Sequence, residues 1–152
     1  MEKILISACL MGELVRYDAG HCLITSDLLS VWKNEGRLVS LCPEMAGGLP
    51  APRPPCERDC DTGHIFDKTG IDYTDGFEKG AAIALALVQK ENIRFALLKE
   101  QSPSCGVNLI YDGTFTSRKI PGSGLTATLL RRAGVQVFSE FEIEKLSKII
   151  SV

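Results

Sequence analysis

Lys3-Ile4-Leu5-Ile6-Ser7-Ala8-Cys9 is the stretch from which the fold is read. It is a short apolar run with β-branched Ile4 and Ile6, so it predicts a buried strand, and it leads directly into a thiol. Three further runs share its character: Arg37 to Leu41, Arg94 to Lys99 and Val135 to Phe138. Helical segments separate them. Thr25 or Ser26 is placed to cap a helix with Leu28, Val31 and Trp32 on one face, ended by Gly36. Asp75-Gly76-Phe77-Glu78 has the form of a capping box, with Asp75 as N-cap, before the almost wholly apolar Ala81 to Val88. Ser123 is placed to cap a helix through Arg132 that Gly134 stops, and Ser139-Glu140-Phe141-Glu142 is a second capping box before a terminal helix bearing Leu146 and Ile150. Strands that alternate with helices require crossover connections, hence a mostly parallel sheet covered on both faces. The expected fold is a single doubly wound α/β domain over residues 1–152 with strand order 2-1-3-4. A small hairpin near 107–116 is signalled by Asp112-Gly113.

Composition agrees with a globular domain. The 152 residues carry 17 basic and 19 acidic side chains, a formal charge of −2, and are 45% apolar. Near-neutral charge gives no electrostatic basis for tight nucleic-acid binding. The N-terminal residues lack the apolar core of a signal peptide, and the run Ala81 to Val88 is far shorter than the ~20 residues of a membrane span. A cytoplasmic protein with reduced thiols is expected. Six cysteines are therefore notable, because a chain this long and apolar needs no disulfide staples.

Cys9 follows the first expected strand, Cys42 the second, and Cys105 stands shortly after the third. In a parallel sheet these strand ends share one edge. Neighbouring strands lie ~4.8 Å apart, so three adjacent ends span about 10 Å, and ligands of such sheets sit outside the carboxyl edge. Three thiols from distant segments thus converge where a site belongs. A disulfide between two would leave the third unexplained. Three thiolates suit zinc with one open position or an iron–sulfur cluster with one iron lacking a protein ligand, and their wide separation in sequence argues only against a zinc ribbon. Cys56 and Cys60 lie in the proline-rich, irregular stretch Pro43 to Gly70 as a C-x-x-x-C pair, read as incidental or as a secondary redox pair. Cys22, beside His21, has no assigned role.

Polar groups flank the three thiols. Glu44, two residues past Cys42, is a candidate general base. Ser102 and Ser104 in Ser102-Pro103-Ser104-Cys105-Gly106 offer hydroxyls for a substrate oxygen or a proton relay. Arg16-Tyr17-Asp18 is placed to close one side of a pocket, and Arg53, between prolines, presents a planar donor fork for a carbonyl or anion. Gly122-Ser123-Gly124 before a helix offers amides for an anion.

These motifs, in order, carry a resemblance: Cys9-Leu10-Met11-Gly12 with Arg16-Tyr17-Asp18, Cys42-Pro43-Glu44 with Gly47-Gly48-Leu49-Pro50 and Pro52-Arg53, Ser102-Pro103-Ser104-Cys105-Gly106, and Gly122-Ser123-Gly124-Leu125-Thr126-Ala127. The chain resembles the short bacterial thiouracil desulfidase family over nearly its whole length. The resemblance implies a [4Fe–4S] cluster held by Cys9, Cys42 and Cys105 with one open iron. It also implies non-redox removal of sulfur from a thiolated pyrimidine, with Glu44 activating water and Ser102 or Ser104 positioning substrate or relaying a proton. Related proteins with an added domain act on thiolated tRNA; a chain of this size and charge is expected instead to take a small thiolated base or nucleotide. Two other functions fit the thiols: a non-catalytic iron–sulfur or metal redox sensor, and a sulfur transferase that carries a cysteine persulfide.

Overall fold

The structure, a computed structural model, describes residues 1–13, 16–20 and 23–150; His21 and Cys22 lie outside them. In chain order the elements are β1 (Ile4–Ser7), α1 (Asp27–Asn34), β2 (Leu38–Leu41), α2 (Pro43–Ala46), β3 (Cys56–Arg58), β4 (Ile65–Asp67), α3 (Thr74–Lys90), β5 (Phe95–Leu98), β6 (Leu109–Tyr111), β7 (Lys119–Pro121), α4 (Leu125–Arg132), β8 (Gln136–Ser139) and α5 (Ile143–Ile150). Four strands form one sheet in the order β2-β1-β5-β8, every pair parallel. That is the order expected from the sequence.

The period-two rule divides the sheet's side chains between two cores. On one face Leu5, Ala96, Leu98 and Val137 meet Ala84 and Val88 of α3 and Ala127 and Leu130 of α4. On the other, Ile4, Ile6, Phe95, Leu97 and Phe138 meet Leu29 and Trp32 of α1 and Leu146 and Ile150 of α5. All four residues of β1 and of β5 are buried, as central strands of a two-faced parallel sheet must be. Before α5, Ser139 and Glu142 form the expected capping box, here closing a 3-10 turn.

Three local expectations are corrected. First, the hairpin expected near 107–116 is present as β6–β7, but its second strand lies further on, at 119–121. Asp112 spends its side chain on Thr114, accepting from its amide at 2.9 Å and its hydroxyl at 2.6 Å, so the chain opens into a longer loop instead of a two-residue turn. Second, α3 begins at Thr74, not after Asp75. The Thr74 hydroxyl accepts from the Ile65 amide at 2.8 Å and Asp72 accepts from the Thr74 amide at 2.7 Å, which ties the helix start to β4. Third, Gly124, not Ser123, is the N-cap residue of α4, because the Ser123 hydroxyl donates to the Val107 carbonyl at 3.0 Å. The irregular stretch 43–70 contains structure of its own, the short helix α2 and the antiparallel pair β3–β4. No helix among the described residues is long and apolar enough to cross a membrane.

Candidate functional site

Parallel strands deliver their C-terminal ends to one edge, and the three thiols arrive there by three different turns. β1 runs into a 3-10 turn, Ala8–Met11, that carries Cys9 and is closed by Gly12 at φ 88°. β2 passes into Cys42, an extended residue immediately before α2, where Pro43 opens the helix. β5 leads through Lys99 and Glu100 to the turn containing Cys105. All three thiols line a cleft of about 290 Å³.

The Cys105 turn is held by buried polar groups. Glu100, only 4% exposed, accepts at one carboxylate oxygen from the amides of Val107 (2.7 Å), Asn108 (2.8 Å) and Leu109 (3.0 Å). The Ser102 hydroxyl oxygen accepts from the amides of Ser104 and Cys105, each at 3.0 Å. With its acceptor side so filled, the hydroxyl donates to Glu44 Oε2 at 3.3 Å. Arg53 Nε donates to Glu44 Oε1 at 3.2 Å. Glu44 is thus a carboxylate bridged between a hydroxyl and a guanidinium on the wall that bears the thiols. Its burial, the largest effect, pushes its carboxyl above the usual carboxylate range, against the pull of Arg53 and Ser102.

Two glycines seat α2 from behind. A Cβ at Gly80 of α3 would lie 1.9 Å from the Pro43 carbonyl oxygen, and one at Gly47 would lie 1.9 Å from the Gly76 carbonyl oxygen. Only bare backbone allows α2, which carries Glu44 and follows Cys42, to press this closely on α3.

Burial pushes the thiols of Cys42 and Cys105 upward, Cys105 far above the ordinary thiol range despite a hydrogen bond with Ser7. Buried thiols stay protonated unless a cation compensates the thiolate, which is what coordination to a metal centre does. Among the described residues no three His, Cys, Asp or Glu side chains are arranged to hold a single metal ion. Three sulfur donors on one wall are of the type that holds an iron–sulfur core, whose irons take thiolate ligands.

Residues 4–142 match the family model described as 2-thiouracil desulfurase. The chain belongs to the 2-thiouracil desulfurase family. A relative from Bacillus subtilis (strain 168), the uncharacterized protein YbbK, is 40% identical over 151 residues, spanning 94% of this chain and 99% of its own. A solved structure described as the [4Fe-4S]-dependent thiouracil desulfidase TudS superposes with a TM-score of 0.96 at 49% identity, covering 99% of both chains.

Against this desulfurase frame, the residues singled out in the sequence separate. Cys9, Cys42, Glu44, Arg16, Tyr17, Arg53, Ser102 and Cys105 line the cleft; Asp18 and Ser104 do not. Asp18 turns back to accept from the Gly20 amide at 2.8 Å. Ser104 is fully buried, its hydroxyl 2.7 Å from that of Thr126, so it fastens the turn to α4. Arg53 lines the wall, with Nε donating to Glu44 and Nη1 to the Pro50 carbonyl at 3.0 Å. The amides of Gly122 and Gly124 donate to the carbonyls of Asn108 and Gly106, so they are not anion donors.

The cleft also takes residues that the sequence did not assign to it, Cys56 and Phe115 among them. Cys56 lines the cleft, its thiol pushed up to about 12 by burial and donating to the Pro54 carbonyl at 3.5 Å. Its would-be partner Cys60 is exposed and donates instead to the Asp112 carbonyl at 3.0 Å. Phe115, from the loop after β6, also lines the cleft. The thiol in a proline-rich segment was a usable signal for Cys56; a lone Phe in a polar loop was none.

Proposed function

We propose that this chain, acting as one domain, is a [4Fe–4S]-dependent desulfidase that converts a small thiolated pyrimidine, of the 2-thiouracil or 4-thiouracil type, to the oxo-base and hydrosulfide. The observation that carries the proposal is Glu44, a half-buried carboxylate held between Ser102 and Arg53 on the wall that also presents Cys9, Cys42 and Cys105. These three residues would hold the cluster. When bound there, it would supply an iron without a protein ligand as a soft Lewis acid for the thiocarbonyl sulfur.

The rest belongs to the chain's own side chains. Glu44 takes a proton from the attacking water, a task suited to a carboxylate whose burial makes it more basic than an exposed one. Ser102 and Arg53 fix its two oxygens, so the lone pair that receives the proton has a set direction. Water oxygen ends on the ring carbon, sulfur departs as hydrosulfide, and no electron changes hands. Arg16 and Tyr17, with the guanidinium 5.5 Å from the ring centroid, line the cleft as substrate contacts. A net charge of −2 supports a free base or nucleotide over tRNA. Free thiols and an oxygen-sensitive centre suit the cytoplasm.

Protein purified without oxygen should contain about four irons and four sulfides per chain and should turn over 2-thiouracil or 4-thiouracil. A full cluster that leaves both untouched overturns the proposal. Retained turnover in iron-free protein would point instead to persulfide transfer.

A further inference from the structure

The loop 112–118, between β6 and β7, is built more rigidly than an exposed connection requires. The Asp112 amide donates to the Arg118 carbonyl at 3.0 Å, closing the loop at its base. Gly113, at φ 93°, lies so near β3 that a Cβ would be 2.7 Å from the Arg58 carbonyl oxygen. Glu57 of β3 reaches across and accepts at one oxygen from the amides of Gly113 (3.0 Å) and Phe115 (3.2 Å). Phe115 itself is at φ 58°, the left-handed region that residues with a Cβ avoid. Such strain persists where surrounding structure over-determines it, and it clusters at sites that bind or switch. What the strain secures is an aromatic ring, half-buried, on the cleft that holds the three thiols.

In the function proposed above, on which this inference rests, the sulfur of a thiolated pyrimidine goes to the metal centre and its reacting carbon must face the water held by Glu44. Its ring N–H groups and carbonyl lie in the ring plane and suit hydrogen bonds at the edge. The two flat π faces need a different partner, and an aromatic side chain is their natural complement. We propose that Phe115 is the stacking surface for the pyrimidine ring, and that Glu57 is the positioning residue that holds it in place.

The test uses cluster-loaded protein, steady-state kinetics on the better of the two thiouracils, and equilibrium dialysis of uracil, which lacks the sulfur. Phe115→Ala should raise KM and the uracil Kd together by about tenfold, with iron content unchanged and kcat nearly so. Phe115→Tyr should stay near wild type. Glu57→Ala should raise KM similarly and add nothing in the Phe115→Ala background, whereas Glu57→Gln, which keeps an acceptor oxygen, should recover most of the loss. Unchanged KM and Kd in Phe115→Ala, or a Tyr variant as poor as Ala, overturns the proposal. Loaded wild-type protein without turnover would instead overturn the functional reading beneath it.

Discussion

The parallel sheet and the rim above its carboxyl edge are held together by different physics. In the sheet, Leu5, Leu97 and Phe138 are placed by area removed from water, a force without direction that tolerates exchange among apolar residues. In the rim, position is set by carboxylates that gather backbone amides: Glu100 takes those of Val107, Asn108 and Leu109, Glu57 those of Gly113 and Phe115, and Asp67 those of Thr69 and Ile71. These bonds are directional and fix loop conformations that burial alone would not select. The sheet supplies a frame, and the rim supplies the aim of the groups upon it.

That contrast can be broken by substitution. The largest effect should come from Glu44→Gln, which keeps the side chain's shape and one acceptor oxygen but not its basicity: turnover should fall by about 10²–10⁴-fold while iron content stays close to wild type. Loss of iron in that variant would make Glu44 part of the rim's structure. Leu97→Ala, in the sheet, should cost about 2–5 kcal/mol in denaturant unfolding, yet the folded protein should keep its iron under chelator as long as wild type does. Glu100→Ala, in the rim, should cost less, about 1–3 kcal/mol, but shed iron to chelator faster than Leu97→Ala. Equal chelator half-lives for the two variants would erase the proposed division.

The smallest effect is an acid one. The Thr69 hydroxyl, followed by the amides of Ile71 and Thr69, holds the Asp67 carboxyl below its usual value. A carboxylate depressed on folding adds stability above its unfolded pKa of about 3.9, and loses it as pH falls through the lower folded value. Asp67→Asn should therefore be less stable than wild type at pH 6, and the gap should close under strong acid in urea melts. A gap independent of pH would show that the loop does not depend on the charge.

The same division explains what the sequence made legible. Runs such as Lys3 to Ala8 announce buried strands because burial leaves a pattern of several residues, and the strand ends then located Cys9, Cys42 and Cys105. Rim features leave a signal one residue long. Asp112-Gly113 marks the hairpin β6–β7, but nothing in it tells that Asp112 will turn to Thr114 and that Glu57 will capture the next amides, which lengthens the loop. Ser102 and Ser104 flank the same proline and look alike in sequence, but one hydroxyl meets Glu44 and the other Thr126. Asp75 lost its capping role because the neighbouring Thr74 is used by Ile65, nine residues earlier in the chain.

The contact between α2 and α3 carries a consequence for how this protein can vary. Gly47, Gly76 and Gly80 lie outside the cleft, behind the short segment that joins Cys42 to Glu44. Substitutions on the cleft wall can alter Cys42 or Glu44 one at a time. A methyl group at Gly80 cannot, because it would push against Pro43 and shift both neighbours of that proline as a body. Cys42 and Glu44 are mechanically one part, and tolerance to mutation should be lower on the silent back of α2 than on much of the cleft wall.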